Sequence, residues 1–379
     1  MIYLNNTATS FPKPKEVIDA VNLSLSTTPV HSSRAGFERE MEEIDYACRC
    51  KLSKLFNVKD PYRIVFSSGS TESLNLAING LNLENCNVVS TKIEHNSVIR
   101  PLKTLEEIGK ITVTFVDCDN TGYVEPEAIA SAIREDTKAI VINHSSNVTG
   151  SVLDIKVIAE IAHSNGCYIV VDASQSAGTL PIDIEGWDID LLAFTGHKSL
   201  FGMPGTGGLY IKEGIDLKPL KVGGTGILSE VLTQPTIMPL YYEAGTQNSP
   251  GIASLNAGVE FVLNQGIDKI RNHKAEIVTK MIKEFKSHPK IKIYTSFEHN
   301  SLANFCFNVI GMVPEEVGFM MENSYGIIIR SGLHCAPLIL DALGVHPWGT
   351  VRVSPSYFTT DEEVDYFIKS LYEICDFVK

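Results

Sequence analysis

The stretch CYIVVDASQSAG, residues 167–178, begins as an unbroken run of apolar and aromatic residues and ends on a carboxylate, Asp172, followed by small turn-forming residues. A strand that is apolar on both faces belongs inside a parallel sheet with helices packed on each side. Six further runs carry the same signature: RIVFSS (63–68), NVVST (87–91), ITVTFVD (111–117), KAIVINH (138–144), DLLAFTG (190–196) and GGLYI (207–211). Helical patterns separate the first five in chain order, so the reading is an α/β fold with a mostly parallel sheet. Phe37 to Phe56 reads as one long helix ahead of it. After Pro250 the pattern changes to two long helical stretches, Gly251 to Asn264 and Gly266 to Lys286, and then to shorter elements. The expected organisation is a large domain over residues 15–250 and a smaller α+β domain built from 1–14 and 251–379.

At 379 residues, 44% hydrophobic and 20% charged, the chain has the composition of a globular protein with room for a large core. No apolar run approaches the roughly 18 to 20 residues that a membrane-spanning helix needs. The opening Met1-Ile2-Tyr3-Leu4 lacks the features of a secretory signal, which sets a cytoplasmic expectation. A net charge of −13 speaks against nucleic acid or anionic membranes as partners. The eight cysteines show no paired CxxC spacing, so no metal site is expected and most should be small buried hydrophobes.

In open α/β sheets ligands collect beyond the carboxyl ends of the strands, so the polar residues after each apolar run carry the chemistry. In SSGSTESLNLAI (67–78) a strand ends and a helix begins. The free amides of that start, with the Ser70 and Thr71 hydroxyls, read either as a phosphate cradle or as a simple helix cap. Asp172, delivered by a buried strand with Gln175 shortly after, needs a cationic partner. Either a protonated pyridine nitrogen or a lysine or arginine would serve. In LLAFTGHKSLFGMPGTGG (191–208) another buried strand ends at Thr195, His197 and Lys198. A desolvated lysine there suits Schiff-base formation with an aldehyde, the alternative being a surface lysine.

A phosphate cradle, a carboxylate for a ring nitrogen and a Schiff-base lysine are together what pyridoxal 5′-phosphate requires. With these residues the chain resembles the class V aminotransferases, and specifically the cysteine desulfurase and selenocysteine lyase family, from NNTATSFPKP (5–14) to VRVSPSYFTTDEEVD (351–365). The resemblance implies an aspartate aminotransferase-like fold in which Lys198 holds the cofactor, Asp172 pairs with its ring nitrogen and Gln175 bonds its phenolic oxygen. It implies that His95, in IEHNSVIRPL, stacks on the ring, and that Asn147, in NHSSNVTG, lies beside cofactor and substrate. Ser70, Thr71, Thr195 and His197 match phosphate-binding positions, and Thr246, in YEAGTQNSPG, one that reaches across from the partner subunit of a homodimer.

At the substrate end the resemblance makes Arg352 a clamp for the substrate carboxylate, a task suited to a bidentate guanidinium. In IIIRSGLHCAPLIL (327–340) Cys335 follows a strand and a glycine at an expected helix start, with Arg330 and His334 nearby. Such surroundings raise thiol reactivity, against the alternative of a buried small hydrophobe. The implied activity is conversion of L-cysteine to L-alanine with the sulfur left on Cys335 as a persulfide, then passed to a sulfur-acceptor protein, as in iron-sulfur assembly. The rival readings are a selenocysteine lyase acting on L-selenocysteine, a carbon-sulfur lyase or aminotransferase on the same scaffold, and a silent binding protein. Leu333 stands where the compact-loop desulfurases commonly have a second histidine, which leaves the acceptor and the choice between sulfur and selenium open.

Overall fold

A computed structural model describes residues 1–27, 39–226, 228, 230–296 and 302–378. Seven strands form one sheet in the order Ile64–Ser67, Gly207–Ile211, Leu191–Thr195, Tyr168–Asp172, Thr137–Asn143, Cys86–Thr91 and Ile111–Val116. The last five run parallel to one another, and Gly207–Ile211 is antiparallel to both of its neighbours. The mostly parallel sheet read from the sequence is therefore present, with every apolar run in it.

Period-two side-chain geometry explains why those runs are apolar throughout. Val88, Val141, Val170, Leu191 and Ala193 face a core completed by Leu74, Ala77 and Leu102, from the helices Ser70–Gly80 and Asn96–Glu107. Their chain neighbours Val89, Ile140, Ile142, Ile169, Val171, Leu192 and Phe194 face a second core. Leu52 and Phe56 of the helix Arg39–Phe56, Ile158 of Ile155–Ser164 and Leu255 of Ser249–Gln265 complete that one. The inner strands are thus buried on both faces, whereas the edge strand Ile111–Val116 is partly exposed and carries Thr112 and Thr114. Of the helix expected over 37–56, the first two residues lie outside the described ones.

A four-stranded antiparallel sheet, Arg330–Gly332, Thr350–Val353, Phe305–Val309 and Ile291–Ile293, has a core of its own. Phe305, Phe307, Val351 and Val353 meet Met281, Met321 and Phe367 from the helices Ile267–Phe285, Pro314–Tyr325 and Asp361–Phe377. The chain start joins this part: Ile2–Tyr3 pairs in parallel with Ile327–Ile328, and Leu4 is buried in the same core. Among the described residues no helix is long and apolar enough to cross a membrane.

Candidate active site

The carboxyl ends of the parallel strands open onto a cavity of about 310 Å³. Eleven of the residues singled out in the sequence line it: Ser70, Thr71, His95, Asn147, Asp172, Gln175, Thr195, His197, Lys198, Arg330 and Arg352. Thr246 does not; it lines an adjoining cavity of about 350 Å³ that shares Ser68, Glu72 and Gly205 with the first. Cys335 stands behind Arg330, whose Nη2 donates to its Sγ at 3.2 Å.

One end of the cavity is built to take an anion. Gly69 precedes the helix Ser70–Gly80 with φ of 148°, a backbone region that favours glycine, and gives no side-chain cap. The amides of Ser70 and Thr71 consequently have no acceptor among the described residues. Two glycines meet here as well, since a Cβ on Gly207 would lie 2.6 Å from the Gly69 Cα. Thr71 Oγ1 is paired with Ser97 Oγ at 2.8 Å. His95 accepts from the Ser97 amide through Nδ1 at 3.1 Å, so it caps the helix Asn96–Glu107 while its ring borders the cavity. Burial pushes its pKa down to about 4, against the opposing pull of Asp172.

Asp172, which also lines the cavity, is 5% exposed. Its Oδ1 accepts from the Ser174 amide at 2.8 Å and from the Ser174 hydroxyl, which leaves Oδ2 without a donor among the described residues. Gln175 Nε2 donates to the Thr7 carbonyl at 3.3 Å. Lys198 is half-buried, with no hydrogen bond or ion pair among the described residues. Desolvation holds its amine down to about 8; Asp172 works against this, and Arg352 and Arg330 add to it.

The loop bearing Lys198 is pinned from outside by the chain start. The His197 carbonyl accepts from the Ser10 amide at 3.0 Å and from Lys13 Nζ at 2.9 Å, and Lys13 also donates to the Gly202 carbonyl at 2.7 Å. His197 Nδ1 meets Thr9 Oγ1 at 3.1 Å.

At the other end Arg352 is 1% exposed and faces no carboxylate among the described residues. Its Nη1 donates to the Asn147 carbonyl at 2.7 Å and Nη2 to Asn5 Oδ1 at 3.1 Å, while Nε has no partner. Burial, reinforced by Arg330, pulls its pKa down to about 9. Asn147 Nδ2 donates to the His334 carbonyl at 2.7 Å, and Asn147 Oδ1 and His334 Nδ1 are also buried without partners. Buried polar atoms without partners are rare, and a donor and an acceptor left open here suit a zwitterionic ligand.

The helix start expected at Cys335 is corrected. His334 and Cys335 occupy a turn with φ of 52° and 57°, and the helix Ile339–Leu343 begins only four residues later. The cation that attends the sulfur is Arg330, not a helix terminus. The other cysteines have no comparable setting: burial drives the thiols of Cys118 and Cys375 up to about 11 and that of Cys306 to about 12. All eight cysteines are free.

Several lining residues were not anticipated. Asn143 and Ser174 sit just past apolar runs, where the strand-end rule could have found them. Thr7 and Ala8 could not be found that way, because the chain start reaches the cavity only through the fold.

A phosphorylated pyridine aldehyde asks for free donors at one end, an ionisable carboxylate oxygen at the ring and an unpaired amine. The open amides of Ser70 and Thr71, the Oδ2 of Asp172 and the unpartnered Lys198 fit that group.

The Aminotransferase class-V family model matches residues 2–367. A probable cysteine desulfurase of Methanothermobacter thermautotrophicus is 32% identical, covering 98% of this chain and 94% of its own length. A cysteine desulfurase of Wigglesworthia glossinidia brevipalpis is 30% identical over 100% of this chain and 94% of its own. The apo structure of a cysteine desulfurase from Thermococcus onnurineus NA1 superposes with a TM-score of 0.91 at 29% identity, covering 99% of this chain and 94% of that one. The chain belongs to the class-V aminotransferase family, among its cysteine desulfurases.

Proposed function

We propose that this chain is a pyridoxal 5′-phosphate-dependent cysteine desulfurase that converts L-cysteine to L-alanine and keeps the sulfur on Cys335. The observation that carries the reading is the Arg330–Cys335 contact, which sets one free thiol against a guanidinium lining the same cavity as Lys198, Asp172 and Arg352.

When bound, the cofactor supplies the electron sink that weakens bonds at the substrate α-carbon. Ser70, Thr71, Thr195 and His197 would hold its phosphate, Asp172 its ring nitrogen, and Gln175 its phenolic oxygen, with His95 against the ring. Lys198 would hold it through its amine; once released, that amine takes the proton from the α-carbon, a transfer suited to a group near pH 8. Arg352 would clamp the substrate carboxylate, with Asn147 beside it. The Cys335 thiolate then attacks the substrate sulfur: an S–S bond forms and the C–S bond breaks. Its electron pair stays on the substrate carbon, which takes up a proton on the way to alanine.

This reading carries with it a homodimer in which Thr246 completes the partner's site, a cytoplasmic location, a sulfur-acceptor protein, and the division into residues 15–250 against 1–14 with 251–379. A product assay with L-cysteine tests it. Alanine with sulfane sulfur supports the reading; pyruvate points to a carbon-sulfur lyase, dependence on a keto acid to a transaminase, and a much faster rate on L-selenocysteine to a selenocysteine lyase.

A further inference from the structure

Behind the cavity wall, Glu94 is fully buried and no lysine or arginine pairs with it among the described residues. Its Oε1 accepts from Thr91 Oγ1 at 2.6 Å and from the Asn143 amide at 3.0 Å, while Oε2 has no partner. Asn143 in turn donates through Nδ2 to the Ile93 carbonyl at 2.8 Å, and its Oδ1 is likewise buried without a partner. Two residues already joined by one hydrogen bond thus each present an acceptor that lacks a donor.

We propose that Glu94 is a neutral carboxylic acid whose own proton, carried on Oε2, supplies the donor missing at this junction, making it a positioning residue for the cavity. An ionised carboxylate here would have one hydroxyl and one backbone amide as donors and no cation, an arrangement that disfavours the charge. One proton removes the charge and serves the open acceptors together. The junction matters because of what it joins. Glu94 is followed at once by His95, and Asn143 pairs in register with Asp172 across the sheet. A neutral Glu94 ties the turn bearing His95 to the strand beside Asp172 without placing a second anion next to that carboxylate. Burial favours the proton's retention against the hydrogen bonds from Thr91 and Asn143, and the negative charge of Asp172, on the strand beside that of Asn143, adds to it. Only the roles of His95 and Asp172 toward a cofactor rest on the proposed function.

The test uses the cofactor-free full chain, so it succeeds or fails independently of the desulfurase reading. Infrared difference spectra of wild type at neutral pH should contain a protonated-carboxyl band that is lost in Glu94→Gln and kept in Asp172→Asn. Thermal unfolding gives a second readout. The folded chain would retain a proton that the unfolded chain releases above pH 4.5, up to about 8, so wild-type stability falls relative to Glu94→Gln as pH rises through that window. A gap that widens in favour of glutamine supports the proposal, as a merely steric role would leave it constant. A constant or reversed gap, or no carboxyl band in wild type, overturns it. Should Glu94→Gln not fold, the wild-type spectrum still decides: absence of any such band rejects the neutral acid.

Discussion

Arg330 Nη2 donates to Cys335 Sγ at 3.2 Å, and the two residues lie only five apart in the chain because a turn with two left-handed residues folds the thiol back onto the strand Arg330–Gly332. A guanidinium so placed gives the sulfur a charge-assisted hydrogen bond and holds it beside the cavity that Arg330 lines. Arg330→Ala should slow alkylation of Cys335 by iodoacetamide by roughly tenfold, the worth of one hydrogen bond to a charged group. Equal rates in both proteins would remove Arg330 from that role.

Arg352 is buried with no carboxylate beside it among the described residues, and under the proposed function the substrate supplies one. Replacing it with Met should raise KM for L-cysteine by roughly 10- to 100-fold, the worth of a hydrogen-bonded charge. Cysteamine, which has no carboxylate, should bind the holoenzyme equally well in both proteins. A matching loss for cysteamine would show a general disturbance of the cavity instead.

Lys198 gives a pH dependence with a definite sign. Only the neutral amine captures an aldehyde, and burial brings its pKa from 10.5 to about 8. Covalent capture of pyridoxal 5′-phosphate by the apo-protein should therefore quicken with pH and level off above about 8. Asp172 opposes the downward shift, so Asp172→Asn should move the midpoint lower still. Stopped-flow absorbance reads both, and a climb continuing past pH 10 would contradict the desolvated amine.

Lys13 donates to Ser10 Oγ and to the carbonyls of His197 and Gly202, three acceptors that call for all three hydrogens of an ammonium. Lys13→Ala should cost about 1–3 kcal/mol in urea unfolding. It should also speed cofactor loss from the holoenzyme, with partial recovery in Lys13→Arg.

The large sheet was legible because parallel strands buried on both faces must be apolar throughout; Val170 and Val171 face opposite cores and both are buried. Asp172 was legible as the polar residue that ends such a strand, and Lys198 as a residue of the short loop that follows one. Cys335 was misplaced at a helix start because a position after a strand and a glycine does not reveal the left-handed backbone at His334 and Cys335, which delays the helix to Ile339. The contacts of Asn5 with Arg352, Thr7 with Gln175 and Lys13 with His197 span the chain. No local pattern encodes them, because they arise only when the chain start folds against two sheets. Glu94 was invisible in the same way, its character set by burial rather than by its neighbours in sequence.

The central claim is that sulfur from L-cysteine comes to rest on one particular thiol. Holoenzyme mixed with one equivalent of L-cysteine, quenched, and digested for mass spectrometry should carry the added sulfur on the peptide containing Cys335, with one alanine released for each sulfur bound. Sulfur on a different cysteine, or alanine formed at an undiminished rate by Cys335→Ala, would contradict the account.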